Sequence, residues 1–186
     1  MRIQNCRLFA FLDPATGTSL TGDYAAIVTL ARDTSGTLHL LDLWMDRVPL
    51  AQQVARAFDL LQRYPYTLFG IETNNVQGTI TDYVRAEQKA RIAQGQTRQL
   101  PVKYVRHNLP KHNRILSLEP RIVSGNILFN RHLPEPFFHQ ADEYPHAHHD
   151  DALDALEGAV TLATAQTPII IHTTGPRITH EASRYF

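Results

Sequence analysis

Short apolar runs alternate with turn residues in the N-terminal quarter of the chain. These runs cover Arg7–Leu12, Tyr24–Leu30 and Thr37–Trp44, and they are separated by Asp13-Pro14 and by Asp33-Thr-Ser-Gly36. Runs of this length, rich in β-branched and aromatic residues and bounded by Pro, Gly and Asp, predict strands. Because the intervening segments are short, we expect the three strands to form an antiparallel meander.

Helical periodicity begins after the meander. Leu50, Val54, Phe58 and Leu61 share one helix face, which predicts a helix over Leu50–Arg63. The same reasoning predicts strands over Thr67–Ile71, Val102–Arg106 and Ile127–Phe129, and helices over Gln77–Ala93, Asn113–Ser124, Glu135–Tyr144 and Asp151–Ala165. This order is typical of an α/β fold, in which the meander leads into parallel crossover strands of one mixed sheet flanked by helices. Residues 1–165 are expected to form this domain and residues 166–186 a C-terminal tail, with Ile169–Ile171 as a further strand or a mobile segment.

Composition excludes several classes of protein. Eighteen basic residues balance eighteen acidic ones among 186 residues, so the chain is not a histone-like or tail-type DNA binder. The single cysteine, Cys6, excludes an internal disulfide framework and a cysteine-based zinc site. No apolar run approaches the roughly 20 residues of a membrane span, and Asp13 directly follows the first short apolar run, unlike in a signal peptide. We therefore expect no membrane segment and a cytoplasmic location.

Carboxylates follow two of the predicted buried strands. Asp13 ends the first strand and Glu72 ends the fourth, and a carboxylate at such a position must be solvated, paired or bound to a cation. Ligand sites of open α/β sheets lie at the carboxyl ends of the strands. Oxygen ligands without cysteine suit Mg²⁺ or Mn²⁺, and two such ions about 4 Å apart can activate water against a phosphodiester. The alternatives are a turn role for Asp13 and a surface ion pair for Glu72.

A third acidic group opens the last predicted helix. Asp150 is placed to be the N-cap, with its carboxylate accepting a backbone N–H one turn along the helix. Asp151 lies at the border of the buried arc and is expected to be the metal ligand of this helix. Asp154 lies about 60° away, nearer the middle of the polar arc. It is expected to be a second ligand or a water-positioning group.

Basic residues are concentrated between Arg91 and Arg121. This segment contains seven basic residues and a single acidic one, Glu119. The functional interpretation is a face that follows the phosphate backbone of DNA, and the alternative is a solvated surface. Lys111 and Arg114 are three residues apart and so point the same way on a helix. The residues expected to bind DNA are Lys103, Arg106, Lys111 and Arg114.

Five of the ten histidines lie between His132 and His149. A zinc or nickel site is the weaker interpretation, because the segment offers neither a nearby cysteine nor a His-x3-His spacing. His149, directly before the acidic helix, is expected to support the carboxylates or to contact the scissile phosphate.

Four segments resemble the C-terminal nuclease domain of bacteriophage terminase large subunits. They are Asp13-Pro-Ala-Thr-Gly17 with Gly22-Asp-Tyr-Ala-Ala-Ile-Val28, Ile71-Glu72-Thr-Asn-Asn, Lys111-His-Asn-Arg-Ile115 and His149-Asp-Asp-Ala-Leu-Asp-Ala155. The resemblance covers about residues 7–160 and implies the RNase H-like fold, which Holliday-junction resolvases and transposases share.

The same resemblance implies a metal-dependent endonuclease that cuts concatemeric viral DNA during head packaging in the host cytoplasm. It implies two divalent cations, Mg²⁺ or Mn²⁺, held by Asp13, Glu72 and Asp151, with Asp150 or Asp154 auxiliary. Asp23 and His149 are expected to support these ligands. The implied partners are double-stranded DNA, an ATPase motor domain, the small terminase subunit and the portal.

One family feature is missing from the sequence. The ATPase motor carries a Gly-x4-Gly-Lys-Ser/Thr loop, but this sequence has no Gly-Lys pair. We therefore expect the chain to be an excised nuclease domain or a separately encoded nuclease. The alternatives are a Holliday-junction resolvase or RNase H-type hydrolase on the same fold, and a non-catalytic module that docks on DNA or on a motor.

Overall fold

A six-stranded mixed sheet forms the centre of the part of the chain that the structure describes. The computed structural model describes residues 3–16, 22–74 and 76–165. The strands, in chain order, are β1 Arg7–Asp13, β2 Ala25–Arg32, β3 Leu38–Asp46, β4 Leu68–Glu72, β5 Val102–Val105 and β6 Ile127–Phe129. Their order across the sheet is β5-β4-β1-β2-β3-β6.

Strand directions confirm the predicted meander and crossovers. β1, β2 and β3 pair antiparallel in sequence, whereas β4 runs parallel to β1, β5 to β4 and β6 to β3. β1, β3, β4, β5 and β6 therefore all end at the same edge of the sheet. This edge is where the α/β architecture places a ligand site.

Helices cover both faces of the sheet. They are α1 Leu50–Arg63, α2 Gln77–Ala93, α3 Lys111–Leu116, α4 Glu119–Val123, α5 Glu135–Glu143 and α6 Asp151–Thr164. α1 and α2 bury Val54, Phe58 and Ile80 with the inward side chains of one sheet face. α6 and its neighbours cover the other face. No helix in the described ranges is both long and apolar enough to cross a membrane.

α6 is the most deeply buried helix, and every residue from Asp151 to Val160 is buried. Two glycines let it lie close to the sheet. A Cβ on Gly158 of α6 would stand 2.6 Å from ring atoms of Phe11, and a Cβ on Gly70 of β4 would overlap the other edge of that ring. The Phe11 ring therefore fills the gap between Gly158 and Gly70, and it limits how closely α6 approaches the sheet there.

The prediction of one helix over Asn113–Ser124 is wrong, because two short helices, α3 and α4, occupy the segment. Pro120 lies in the first turn of α4. In a continuous helix it could not donate to the carbonyl of Leu116 and its ring would clash with it. The other predicted elements agree within two residues at each end, while the predicted strand over Ile169–Ile171 and the tail at 166–186 lie outside the described residues.

Candidate metal centre

Strand register places two carboxylates side by side. Leu12 of β1 is aligned with Ile71 of the parallel strand β4, so the next residues, Asp13 and Glu72, are also neighbours. Both strands are buried along their length and end at this edge. The two strand-end carboxylates that the sequence singles out therefore share one location.

Asp154 completes the group from α6. One carboxylate oxygen each of Asp13, Glu72 and Asp154 lies within 4.8 Å of the other two. Asp154 is 3% exposed and Glu72 is 9% exposed, so water screens the three charges poorly. The expectation for α6 was that Asp151 would be the ligand and Asp154 an auxiliary, but the structure brings Asp154, one turn further along, to the strand ends.

Burial and neighbouring charges raise the pKa values of two members of this cluster, Asp13 and Asp154. Burial raises the pKa of Asp13 well above its ordinary value, and the charges of Asp154 and Glu72 raise it further. Burial also raises the pKa of Asp154 to about 6, although Lys111 and Arg114 act in the opposite direction. Burial and like charges disfavour ionised carboxylates. A group of carboxylates held together in spite of this is typical of a site that binds a cation or a proton.

Arg114 fixes the orientation of Asp154. Its Nη2 donates to Oδ2 of Asp154 at 2.9 Å, and its Nη1 lies 2.5 Å from Oδ1. The same Nη1 lies 3.7 Å from Oε2 of Glu157, one turn further along α6. Because Arg114 is only 7% exposed, the structure assigns it to the interior of the site and not to a DNA-binding surface.

Lys111, at the start of α3, contacts the acidic end of α6. Its Nζ lies 2.7 Å from Asp150, 3.1 Å from Asp151 and 3.7 Å from Asp154. Burial lowers the pKa of Lys111, but the hydrogen bond to Asp150 and the charges of Asp151 and its neighbours outweigh burial, so the pKa lies above its usual value. Lys111 is therefore charged at neutral pH.

Asp150 occupies the N-cap position as predicted, but its side chain makes no capping hydrogen bond. The prediction that this carboxylate accepts a helix N–H is therefore wrong. The physical reason is that Lys111 offers it a charged donor at 2.7 Å, and a charge-assisted bond is stronger than one to a neutral amide.

A second group of possible ligand atoms adjoins the first. Oxygens of Asp23 and Asp151 and a ring nitrogen of His149 lie within 4.8 Å of one another. Oδ2 of Asp151 accepts the backbone N–H of Tyr24 at 2.9 Å, and Nδ1 of His149 stands 4.0 Å from the same oxygen. The two residues expected to support the ligands, Asp23 and His149, are thus gathered around Asp151.

Arg47 joins this second group, and the sequence analysis did not single it out. Its Nε donates to the carbonyl of Gly22 at 2.7 Å, and its Nη2 lies 3.2 Å from Nε2 of His149. Its guanidinium stacks on the Tyr24 ring at 3.7 Å. The available signal was topological, because Arg47 directly follows β3, which ends at the same edge as β1 and β4.

The basic segment does not form one face. Arg91 pairs with Asp59 of α1 and Glu87 of α2, on the side of the sheet that those helices cover. Lys111 and Arg114 face α6 on the opposite side. Lys103 and Arg106 are exposed, on and directly after the edge strand β5. The predicted continuous surface of seven cations is therefore wrong. Of the four expected DNA contacts, Lys103 and Arg106 are exposed, Lys111 is partly exposed and Arg114 is buried.

Comparison with known families identifies the family and the fold. Residues 10–162 match the family model of the terminase RNaseH-like domain, which is most of the chain. The chain belongs to the terminase RNaseH-like domain family. The matched range includes all three carboxylates of the first group and α6 as far as Leu162. None of the curated proteins compared with this terminase domain matches its sequence.

Solved structures share the architecture of this terminase domain at low sequence identity. The human cytomegalovirus terminase nuclease domain, soaked with Mn and bound to an inhibitor, superimposes with a TM-score of 0.62 at 15% identity, over 88% of this chain and 86% of that one. The large terminase nuclease of thermophilic phage G20c, with bound magnesium, gives 0.62 at 16%, over 84% and 82%. The bacteriophage HK97 large terminase gives 0.58 at 12%, over 84% of this chain but 39% of its own.

These findings confirm the predicted RNase H-like fold and the predicted terminase nuclease domain. The prediction of a DNA endonuclease of genome packaging is thereby confirmed at the level of the family. The fold alone leaves a resolvase open, and the family match favours the terminase.

Proposed function

We propose that this terminase domain hydrolyses DNA phosphodiesters with divalent cations held by Asp13, Glu72 and Asp154. The observation that carries the proposal is the meeting of these three carboxylates, from three separate elements, within 4.8 Å in a buried position. A salt bridge or a helix cap would explain any one of them. Neither explains why three acids from separate elements gather at this edge of the sheet.

The donor set fits Mg²⁺ or Mn²⁺. All three groups offer hard oxygen atoms, and neither cysteine nor histidine belongs to this first group. Burial raises the pKa values of Asp13 and Asp154, and the charge of Glu72 raises both further. The cytomegalovirus nuclease domain was soaked with Mn and the G20c nuclease has bound magnesium, which agrees with this choice.

We place a second cation beside the first, on the Asp151 side. Asp151 is buried and turns one oxygen toward Lys111, which also touches Asp154. Bound cations would supply a nucleophilic hydroxide at neutral pH and neutralise charge on the phosphate. Arg114 holds Asp154 still during the reaction, and the backbone N–H of Tyr24 does the same for Asp151.

Water is the proposed nucleophile. Among the described residues, the hydroxyl next in sequence to Glu72 is that of Thr73, and it donates to the carbonyl of Val105 at 3.1 Å. Cys6 precedes β1 and so stands at the opposite edge of the sheet from the carboxylates. Neither group is placed to attack a phosphate at the carboxylate cluster.

Lys103 and Arg106 are proposed to contact the phosphates of double-stranded DNA, since both are exposed close to the strand ends. Such contacts position the duplex without reading its sequence. Genome packaging also requires proteins other than this domain. We propose an ATPase motor domain, the small terminase subunit and the portal as partners, in keeping with the larger size of the HK97 protein.

The test is Mn²⁺-dependent cleavage by the full chain. Supercoiled plasmid should be nicked and then linearised with Mn²⁺ and should stay intact with chelator. A four-way junction and an RNA–DNA hybrid, assayed beside linear duplex, separate the terminase from a resolvase and an RNase H. Cleavage confined to either of those two substrates would contradict the packaging role, and cleavage in chelator would contradict the metal.

A further inference from the structure

The ammonium of Lys111 lies among the carboxylates that are proposed to bind divalent cations. Its Nζ is within 4 Å of carboxylate oxygens of Asp150, the N-cap of α6, and of Asp151 and Asp154 in the first turn of that helix. Two of these three partners, Asp151 and Asp154, belong to the two ligand groups described above. A single ammonium therefore bridges the groups that are proposed to hold divalent cations.

The neighbouring cation of α3 behaves differently. Arg114 is 7% exposed and is held by a charge-assisted hydrogen bond to Asp154. The side chain of Lys111 is 35% exposed, and it reaches the cluster through a flexible four-carbon stem. Arg114 is thus a fixed part of the interior, whereas Lys111 has the exposure and the reach to swing toward solvent once another cation pairs with the buried carboxylates.

The ammonium of Lys111 and a divalent cation compete for the same carboxylate oxygens. A divalent cation that approached Asp151 or Asp154 would meet a full positive charge a few ångströms away, in a place where burial weakens screening. The carboxylates also need some cation, since unpaired buried charges repel each other strongly. Either cation can satisfy them, but both cannot occupy the same oxygens.

We propose that Lys111 is an exchangeable counter-ion, which holds the carboxylates of α6 until a divalent cation displaces it. The ammonium is then free to contact a phosphate of the bound DNA, at the edge of the site. This inference rests on the proposed function, because it assumes that the cluster binds a divalent cation. Under this proposal Lys111 sets the affinity of the site for a divalent cation, whereas a residue that only contacted DNA would not affect that affinity.

Calorimetric titration of the full chain with Mn²⁺, without DNA, tests the proposal. Lys111→Met should bind Mn²⁺ on the order of tenfold more tightly than wild type, because a repelling charge is removed. Lys89→Met, which removes the same charge from the exposed face of α2, should leave the affinity unchanged. Lys111→Gln should repeat the gain with a polar side chain.

Thermal unfolding with and without Mn²⁺ separates this role from a merely structural one. Lys111→Met should lower Tm without metal and should gain more from Mn²⁺ than wild type does. A variant that fails to fold without metal should be recovered by Mn²⁺ during refolding. An equal loss of Tm in both conditions, or no recovery, would overturn the proposal.

The titration also distinguishes the two proposals from each other. Absence of Mn²⁺ binding to wild type would remove the metal site and this inference with it. Binding to wild type with no gain in Lys111→Met would overturn the role of Lys111 alone.

Discussion

Replacement of Asp13 by Asn is expected to reduce DNA cleavage by at least about a thousandfold, which corresponds to roughly 4 kcal/mol of transition-state stabilisation. The substitution keeps the shape of the side chain but removes a charged ligand from the centre of the cluster. Plasmid cleavage at saturating Mn²⁺ measures the effect. A rate close to that of wild type would show that Asp13 does not hold the catalytic cation.

The same variant should be more stable than wild type when metal is absent. Burial, then Asp154 and Glu72, raise the pKa of Asp13 in the folded protein. A carboxyl with a raised folded-state pKa stabilises the fold fully only below its unfolded pKa of about 3.9, and this contribution is lost as pH rises through the folded value. Asp13→Asn should therefore match wild type near pH 4 and exceed it at neutral pH.

Asp46→Asn is the matched control for both measurements. Asp46 also ends a strand at this edge of the sheet, but it is exposed and its carboxylate accepts the backbone N–H of Arg47 at 2.8 Å. It should cut DNA at a rate close to wild type and show no gain of stability at neutral pH. Equal behaviour of the two variants would mean that position at the edge, and not membership of the cluster, decides the effect.

Gly158→Ala is expected to destabilise the fold and to impair cleavage together. The new methyl group would stand 2.6 Å from the Phe11 ring, which cannot retreat because Gly70 lies against its other edge. Overpacking of this kind costs about 1–3 kcal/mol, more than the roughly 1 kcal/mol that alanine gains over glycine in a helix. Relief requires α6 to move outward, and Asp154, one turn before Gly158, moves with it.

Urea unfolding and plasmid cleavage check this prediction. Gly78→Ala in α2 is the control, since a Cβ there meets nothing within 4 Å, and it should be neutral or stabilising. Phe11→Leu combined with Gly158→Ala should recover part of the lost activity by making room for the methyl group. A Gly158→Ala protein with wild-type stability would contradict the close seating of α6.

Local pattern was sufficient for most of the elements. The bounds of α1 and α2 were predicted to the residue, because periodic apolar positions and their breakers lie within one stretch of sequence. Asp13 and Glu72 could be proposed for the same reason, as charged residues directly after buried runs. Their meeting then followed from the parallel pairing of β1 and β4.

The choice between Asp151 and Asp154 depended on long-range packing that a helical projection lacks. The helical projection placed Asp154 on the polar arc, which was expected to face solvent, but α6 is buried on nearly all sides. Arg114, 40 residues earlier, supplies the partner that makes a buried Asp154 tolerable. Lys111 and Arg114 were expected to bind DNA because their acidic partners lie far away in sequence and are invisible to a local count of charge.

The central claim is that Asp13, Glu72 and Asp154 together hold a divalent cation, and a Mn²⁺-soaked crystal tests it most directly. Anomalous scattering at the manganese edge should give a peak at about 2.0–2.4 Å from one oxygen of each of the three carboxylates. The same soak of Asp13→Asn should lose or weaken that peak. No peak between these residues at saturating Mn²⁺, or a peak ligated elsewhere, would contradict the account.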